Sequence, residues 1–362
     1  MEQTLQRMRR LTLALTLAGS FAVTCVPPAA GAAGETSPFA GTALWVTQVP
    51  VLSTPEQLAA EAAQAGARTL FVKAAEGTAP ELQFSATLLA GLRAAGLSVC
   101  AWTFAYGEDP LAEAAVAVAA VRDGAQCLVV DAEGQYDGRY YAAQQYVRAL
   151  RAALGASFPI ALAGEAEVLE HPQFPYSVFL GPGGFNFDMP QLYWLELGLS
   201  VDGAYAAALP ANAIYGRQIV PVGQLAGAPT ASELELFRTL AGSYGSPGVS
   251  FFDLDVAQPD ELVALATPPA ALPRRVLPLP TLRAGADGDE IVWAQELLNA
   301  AGAHLPVGGF FGTQTATAVA HLQARHRLPA NGMLTPATWK ALLRLHAREP
   351  SWAHGPPDSA HE

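Results

Sequence analysis

The sequence predicts an α/β fold: a TIM-like (β/α)8 barrel over residues 41–268, followed by a small all-α three-helix module over residues 281–346. Three observations predict it. Short β-rich runs recur through residues 41–270, and most are followed by an Ala-rich helical stretch. A segment from Thr267 to Pro280, with five prolines in fourteen residues, then breaks the pattern. Beyond it the apolar residues return at helical spacing.

The predicted strands are Ala43–Val49, Arg68–Ala74, Leu97–Phe104, Gln126–Asp131, Phe158–Ala163, Met189–Leu195, Gln218–Val222 and Gly248–Asp255. The predicted helices include Pro55–Ala65, Ser85–Ala95, Pro110–Arg122, Arg139–Leu154 and Ser232–Ser243. Thr54-Pro55 opens a helix, with Thr as cap and Pro in the first turn. Ala65-Gly66, Ala95-Gly96 and Leu154-Gly155 are helix stops. Strand–helix alternation implies parallel strands, and eight of them suit a closed barrel. An open doubly wound sheet is the alternative, but no G-x-G-x-x-G follows the first strand. Residues 269–280 read as an extended, stiff linker between two independently folded units. In the last part, Ile291, Ala294 and Leu298 form one apolar stripe, and Val319 and Leu322 another. Gly308-Gly309 and Asn331-Gly332 are turns. Residues 347–362 read as a disordered tail.

Composition excludes several classes. Apolar residues are 51% of the 362 and charged residues 14%, which excludes a mainly disordered chain. The net charge of −12 argues against nucleic acid as a partner. Residues 41–270 carry 9 Lys and Arg against 23 Asp and Glu, so the acidity belongs to the barrel. Only the N-terminus holds an apolar run that concerns a membrane. Arg7, Arg9 and Arg10 precede the apolar stretch Leu11–Val23, and Ala30-Gly31-Ala32 is a small-x-small cleavage site. Residues 1–32 therefore read as a signal peptide, and the mature chain as a secreted, extracytoplasmic monomer with no membrane anchor. Export leaves Cys100 and Cys127 on adjacent predicted strands. They read as buried thiols, with pairing left open.

In a (β/α)8 barrel, chemistry belongs at the C-terminal ends of the strands. The fourth strand ends in Val129-Val-Asp131-Ala-Glu133. Residues i and i+2 share a strand face, so Val129, Asp131 and Glu133 face one way and Leu128 and Val130 the other. Two neighbouring carboxyls cannot easily both ionise, which leaves a proton donor beside a charged partner. Glycosidic cleavage needs such a pair. Glu133 and Asp131 are therefore the candidate catalytic residues. By the same parity Gln191 pairs with Tyr193 on one face, and Asp253 with Asp255 on another. Lys73 lies in a strand that otherwise reads as buried, so it needs a carboxylate partner, for which Asp131 is the candidate. Trp102 and Tyr193 offer flat faces for sugar rings. The candidate substrate-binding set is Lys73, Trp102, Gln191, Tyr193, Asp253 and Asp255. No metal-ligand spacing and no cofactor motif is present, so no metal and no cofactor are expected.

Phe71-Val-Lys-Ala-Ala-Glu-Gly-Thr78 and Val129-Val-Asp-Ala-Glu133 resemble the second- and fourth-strand motifs of glycoside hydrolase family 25 lysozymes. The Asp-x-Glu is also similar to that of the family 18 chitinase-like barrels. The first strand reads Leu44-Trp-Val-Thr-Gln48, where family 25 places an aspartate. Val130–Tyr136, His171–Leu180 and Met189–Trp194 resemble a group of secreted bacterial glycosidase-like barrels that often carry peptidoglycan-binding modules.

The stretch from Leu282 to Leu342 resembles a peptidoglycan-binding type 1 domain almost end to end. Its Gln295, Phe311-Gly312, Gln323, Asn331-Gly332 and Trp339 carry the resemblance. Gly308 and Asn331 stand where aspartate is usual. The resemblances imply a secreted, cell-wall-associated glycoside hydrolase acting on peptidoglycan or a related wall glycan. The alternative is a non-catalytic wall- or glycan-binding protein with a degenerate glycosidase-like barrel, motivated by the missing first-strand aspartate.

Overall fold

The computed structural model describes residues 37–362 except 51–52, 167, 169, 349 and 353–362. The predicted signal peptide lies outside the described residues. Eight parallel strands close into a barrel. They are β1 (Gly41–Val46), β2 (Thr69–Glu76), β3 (Ser98–Phe104), β4 (Leu128–Asp131), β5 (Ile160–Glu165), β6 (Phe187–Gln191), β7 in two pieces (Gln218–Ile219 and Val222–Gln224) and β8 (Gly248–Phe252). Closure is direct, because β1 pairs in parallel with both β2 and β8. The break in β7 falls at Pro221, which has no amide hydrogen to extend the ladder.

A helix follows each strand: α1 (Pro55–Gln64), α2 (Ala86–Ala94), α3 (Pro110–Arg122), α4 (Tyr140–Leu154), α5 (Tyr176–Leu180), α6 (Val201–Asn212), α7 (Ala231–Tyr244) and α8 (Pro259–Ala266). Thr54 caps α1 in a capping box with Gln57. The helices read from the sequence do not include α5, which has only five residues, α6, which contains Gly203 and Pro210, or α8.

Strand parity sorts the core into two layers. Trp45, Phe71, Trp102, Val129 and Met189 fill the barrel interior. Leu44, Leu70, Val99, Leu128 and Val130 face outward and pack under the helices. The two cysteines depart from the sequence reading. Ala101 pairs with Leu128 in the ladder, which sets the preceding Cys100 and Cys127 side by side in the interior. They form a disulfide with Cα atoms 4.6 Å apart.

Residues 287–342 form the helical module, with α9 (Asp289–Ala300), α10 (Thr313–Arg325) and α11 (Pro336–Leu342). Each of its two turns is tied to a buried glutamine. Gln295 accepts from the Gly308 and Gly309 amides and donates to the Phe310 carbonyl. Gln323 accepts from Gly332 and donates to the Met333 carbonyl.

The segment before the module is extended but is no free tether. The Arg275 amide bonds the Ser243 carbonyl at 2.8 Å, and its guanidinium meets Asp202 at 3.0 Å. Leu277 and Leu279 pack on the core. The start of the predicted tail is also held. Trp352 is buried, packs with its ring centre 4.6 Å from that of Tyr140 at a tilt of 44°, and donates its amide to Gln144. The sequence hides this because the partners are about two hundred positions away.

Candidate active site

The acid pair sits at the C-terminal mouth of the barrel. β4 ends at Asp131, and Glu133 follows in extended backbone before a single 3-10 turn, Gly134–Tyr136. Gln191, the last residue of β6, reaches across β5 to both. Its Nε2 lies 2.8 Å from Asp131 Oδ1 and 3.2 Å from Glu133 Oε1. One amide nitrogen thus holds two carboxyls together.

Asp131 is 7% exposed, whereas Glu133 is half-buried and reaches the opening. Burial pushes the Asp131 carboxyl well above its ordinary range, and the charges of Glu133, Glu165 and Glu76 add to the shift. Glu133 is raised too, by burial first and then by Glu165 and Glu196, while the Gln191 bond and His171 oppose it. The pair therefore retains a proton well above the pH at which a free carboxyl loses it. Tyr193 lies beside both acids. Burial and their charges keep its hydroxyl protonated, so it stays a donor. It is not on a strand: β6 stops at Gln191, and Tyr193 starts the turn toward Gly198.

Lys73 does not meet Asp131. Its ammonium lies 2.6 Å from Glu76 and 5.0 Å from the centre of the Trp102 ring. A bulge between Lys73 and Ala75 explains this. Strict alternation sends residues three apart to opposite faces. The extra residue restores both to the interior face, opposite Trp102 and Phe104. Tyr106 donates its hydroxyl to the same Glu76 carboxylate. Trp102 is 3% exposed, and its indole N–H bonds the Val46 carbonyl at 3.1 Å. It is part of the floor beneath Lys73, not an open platform for a sugar.

Asp253 and Asp255 do not share a strand face, because β8 ends at Phe252 and Leu254–Val256 form a 3-10 turn. Both nevertheless grip the end of β1. Thr47 donates its hydroxyl to Asp253 at 2.7 Å, and the Gln48 amide bonds Asp255 at 2.7 Å. Burial, with the charge of Asp253, raises Asp255 to about 6.

Sequence reading missed Glu165, because it ended the fifth strand at Ala163. The signal was available: Ala161 and Ala163 face the interior, so parity puts Glu165 there too. His171 was also missed. Its Nε2 lies 3.6 Å from Glu165 and its Nδ1 3.7 Å from Asp137, across a loop that parity cannot place. Among the described residues, no group of three or more His, Cys, Asp or Glu is arranged to hold a metal ion.

The module carries a second candidate surface. A groove of about 750 Å³ runs between the end of α9 and α10, lined in part by His304, Thr313, Thr317, His321 and Arg325. Residues 287–342 match the family model described as a putative peptidoglycan binding domain. The module is similar to a peptidoglycan-binding protein from Clostridioides difficile, solved with glutamine hydroxamate. Identity is 35%, over 17% of this chain and 40% of that one, with a TM-score of 0.17. The barrel is similar to the spore cortex-lytic enzyme SleL of Bacillus cereus, with 10% identity over 66% of this chain and 76% of that one, TM-score 0.48. It is also similar to a chitinase from Chromobacterium violaceum, with 13% identity over 62% of this chain and 98% of that one, TM-score 0.44. Among curated proteins, none matches the chain.

Proposed function

We propose that the protein is an exported cell-wall glycoside hydrolase that holds peptidoglycan through its C-terminal module and cleaves glycan strands at the barrel mouth. One observation carries the catalytic part: Gln191 gathers Asp131 and Glu133 at the C-terminal end of the barrel, where burial raises both carboxyls. Glu133, nearer the opening, is the general acid that protonates the glycosidic oxygen. Asp131 lies too deep to reach a leaving group. It titrates together with Glu133, and its charge raises the pH at which Glu133 gives up its proton. Tyr193 donates to a substrate oxygen beside them. Lys73, Asp253 and Asp255 shape the wall of the cleft through Glu76, Thr47 and Gln48.

The module matches a peptidoglycan-binding family, and the groove with His304, His321 and Arg325 offers positive and polar groups to wall peptide carboxylates. The disulfide supports an oxidising, extracytoplasmic location, as does the predicted cleavage after Ala32. Wall binding places the mouth among glycan strands and raises local substrate concentration.

The test is release of reducing ends from purified peptidoglycan by the full chain and by Glu133→Gln. The variant should lose activity by at least about 100-fold while still pelleting with the wall. Pelleting without release by either protein would establish the alternative, a wall-binding protein with a degenerate barrel. The observation that favours it is the end of β1, where Gln48 offers its amide to Asp255 and no carboxylate stands.

A further inference from the structure

The barrel has a gap in its outer helical layer. Its fifth helix, α5, has five residues, about one and a half turns, where a barrel strand needs a longer cover. The module's first helix lies against it. In α9 every residue from Asp289 to Leu298 is buried, so this helix is enclosed on all sides. A helix covered only by its own module would keep a wet face. α9 is shared between the module and the barrel.

The contacts are specific. Asp289, with no exposed surface, accepts from the Ser177 amide at 2.7 Å, the Ser177 hydroxyl at 2.7 Å and the Tyr215 hydroxyl at 2.8 Å. Tyr140 adds its hydroxyl. These donors come from α5, from the 3-10 turn Ala213–Tyr215 that follows α6, and from the start of α4. Trp293 donates its indole N–H to the Ile214 carbonyl at 2.7 Å. The Asp289 amide bonds the Pro172 carbonyl at 2.7 Å. Gly288, at φ +125°, lies so close to Pro172 that a Cβ there would come within 2.9 Å of the proline ring.

Pro172 follows His171. That imidazole lies between Glu165 of β5 and Asp137 of the β4–α4 loop, and its protonated form favours ionised Glu133. The module is thus bonded to the residue next to a side chain of the acid site.

We propose that the peptidoglycan-binding module is a working part of the barrel, which through Asp289, Gly288 and Pro172 holds His171 in place beside the acid pair. His171 and Asp289 are positioning residues. They act through Glu165, Asp137 and Glu133 and touch no substrate. The proposal rests on the acid-site reading only for its activity readout.

The test compares the full chain with Asp289→Ala, which leaves four donors without their acceptor. Amide hydrogen exchange is followed by mass spectrometry. Peptides spanning residues 165–180 should exchange at least about tenfold faster, while those from α1 and α2 stay as in the wild type. Unchanged protection of residues 165–180 would overturn the proposal. Trp293→Phe removes the indole N–H bond to Ile214 and keeps an aromatic ring, though a smaller one. It should loosen the same peptides to a smaller extent, and it serves if Asp289→Ala does not fold.

The second readout is the alkaline limb of the pH profile for wall-fragment release. Loss of a nearby positive charge disfavours ionised Glu133. His171→Gln and Asp289→Ala should therefore both move the limb upward, by about half a unit. A limb moved by His171→Gln but not by Asp289→Ala would also overturn the coupling. If the wild type releases no fragments, the catalytic reading fails, and the exchange experiment still decides this one.

Discussion

Gln191 is the residue on which the acid site turns. A side-chain amide bonded to both carboxyls favours their ionised forms, and it opposes the upward push of burial on each. Two substitutions should therefore move the pair in opposite directions. Gln191→Leu removes the donor, so the pair holds its proton to higher pH and the alkaline limb of fragment release rises. Asp131→Asn removes the neighbouring negative charge, so Glu133 ionises more readily and the limb falls. The check is a pH–rate profile of each variant against wild type. Limbs that coincide in all three proteins, with activity intact, would mean that another acid does the work. The convergence of Asp131 with Glu133 was legible from i, i+2 parity, which holds because Glu133 continues the extended backbone of β4. The Lys73 partner was not, because a one-residue bulge after Lys73 brings Glu76, three positions on, to the same face.

At the scale of elements, the barrel interior is stapled between neighbouring strands. Cys100 and Cys127 join β3 to the residue before β4, four residues ahead of Asp131. Closing a loop of this length stabilises by about 3–4 kcal/mol if chain entropy dominates. The Cys100→Ala, Cys127→Ala double variant should lose an amount of that order in urea unfolding, and reductant should lower the wild-type midpoint but not the variant's. Equal midpoints for reduced and oxidised wild type would show that the bridge adds nothing. Adjacent strands were predicted for these cysteines, but ladder register, which aligns Ala101 with Leu128, decides that the sulfurs meet.

At the scale of the molecule, barrel and module share a buried acidic seam. Burial raises Asp289 to about 6, and burial with the charge of Asp289 raises Glu290 to about 7. Asp289 is fully hydrogen-bonded, whereas Glu290 Oε1 has no partner among the described residues. A carboxyl raised on folding holds more protons in the native than in the unfolded chain, so stability falls as pH rises between the two values. Stability should therefore decline from about pH 4 to pH 7. Glu290→Gln should flatten that slope and stabilise the chain at pH 8 by on the order of 2–3 kcal/mol. Thermal unfolding across this range checks it, and a wild-type curve that rises toward pH 7 would refute the assignment.

The sequence by itself determined the period of most elements, and with it the barrel, the helical module and the face of the chain at the end of β4 that carries the acids. Apolar spacing, caps and strand alternation are local, and local physics is enough to read them. Tertiary structure decided what local order leaves free. It joined Gln191 to two carboxyls about sixty positions away, turned Glu76 toward Lys73 and closed the disulfide. It also laid the proline-rich segment along the barrel and set α9 over the short α5. Residues 269–280 form neither helix nor strand, as their proline content leads one to expect, and the ten buried residues of α9 take part of their cover from the barrel.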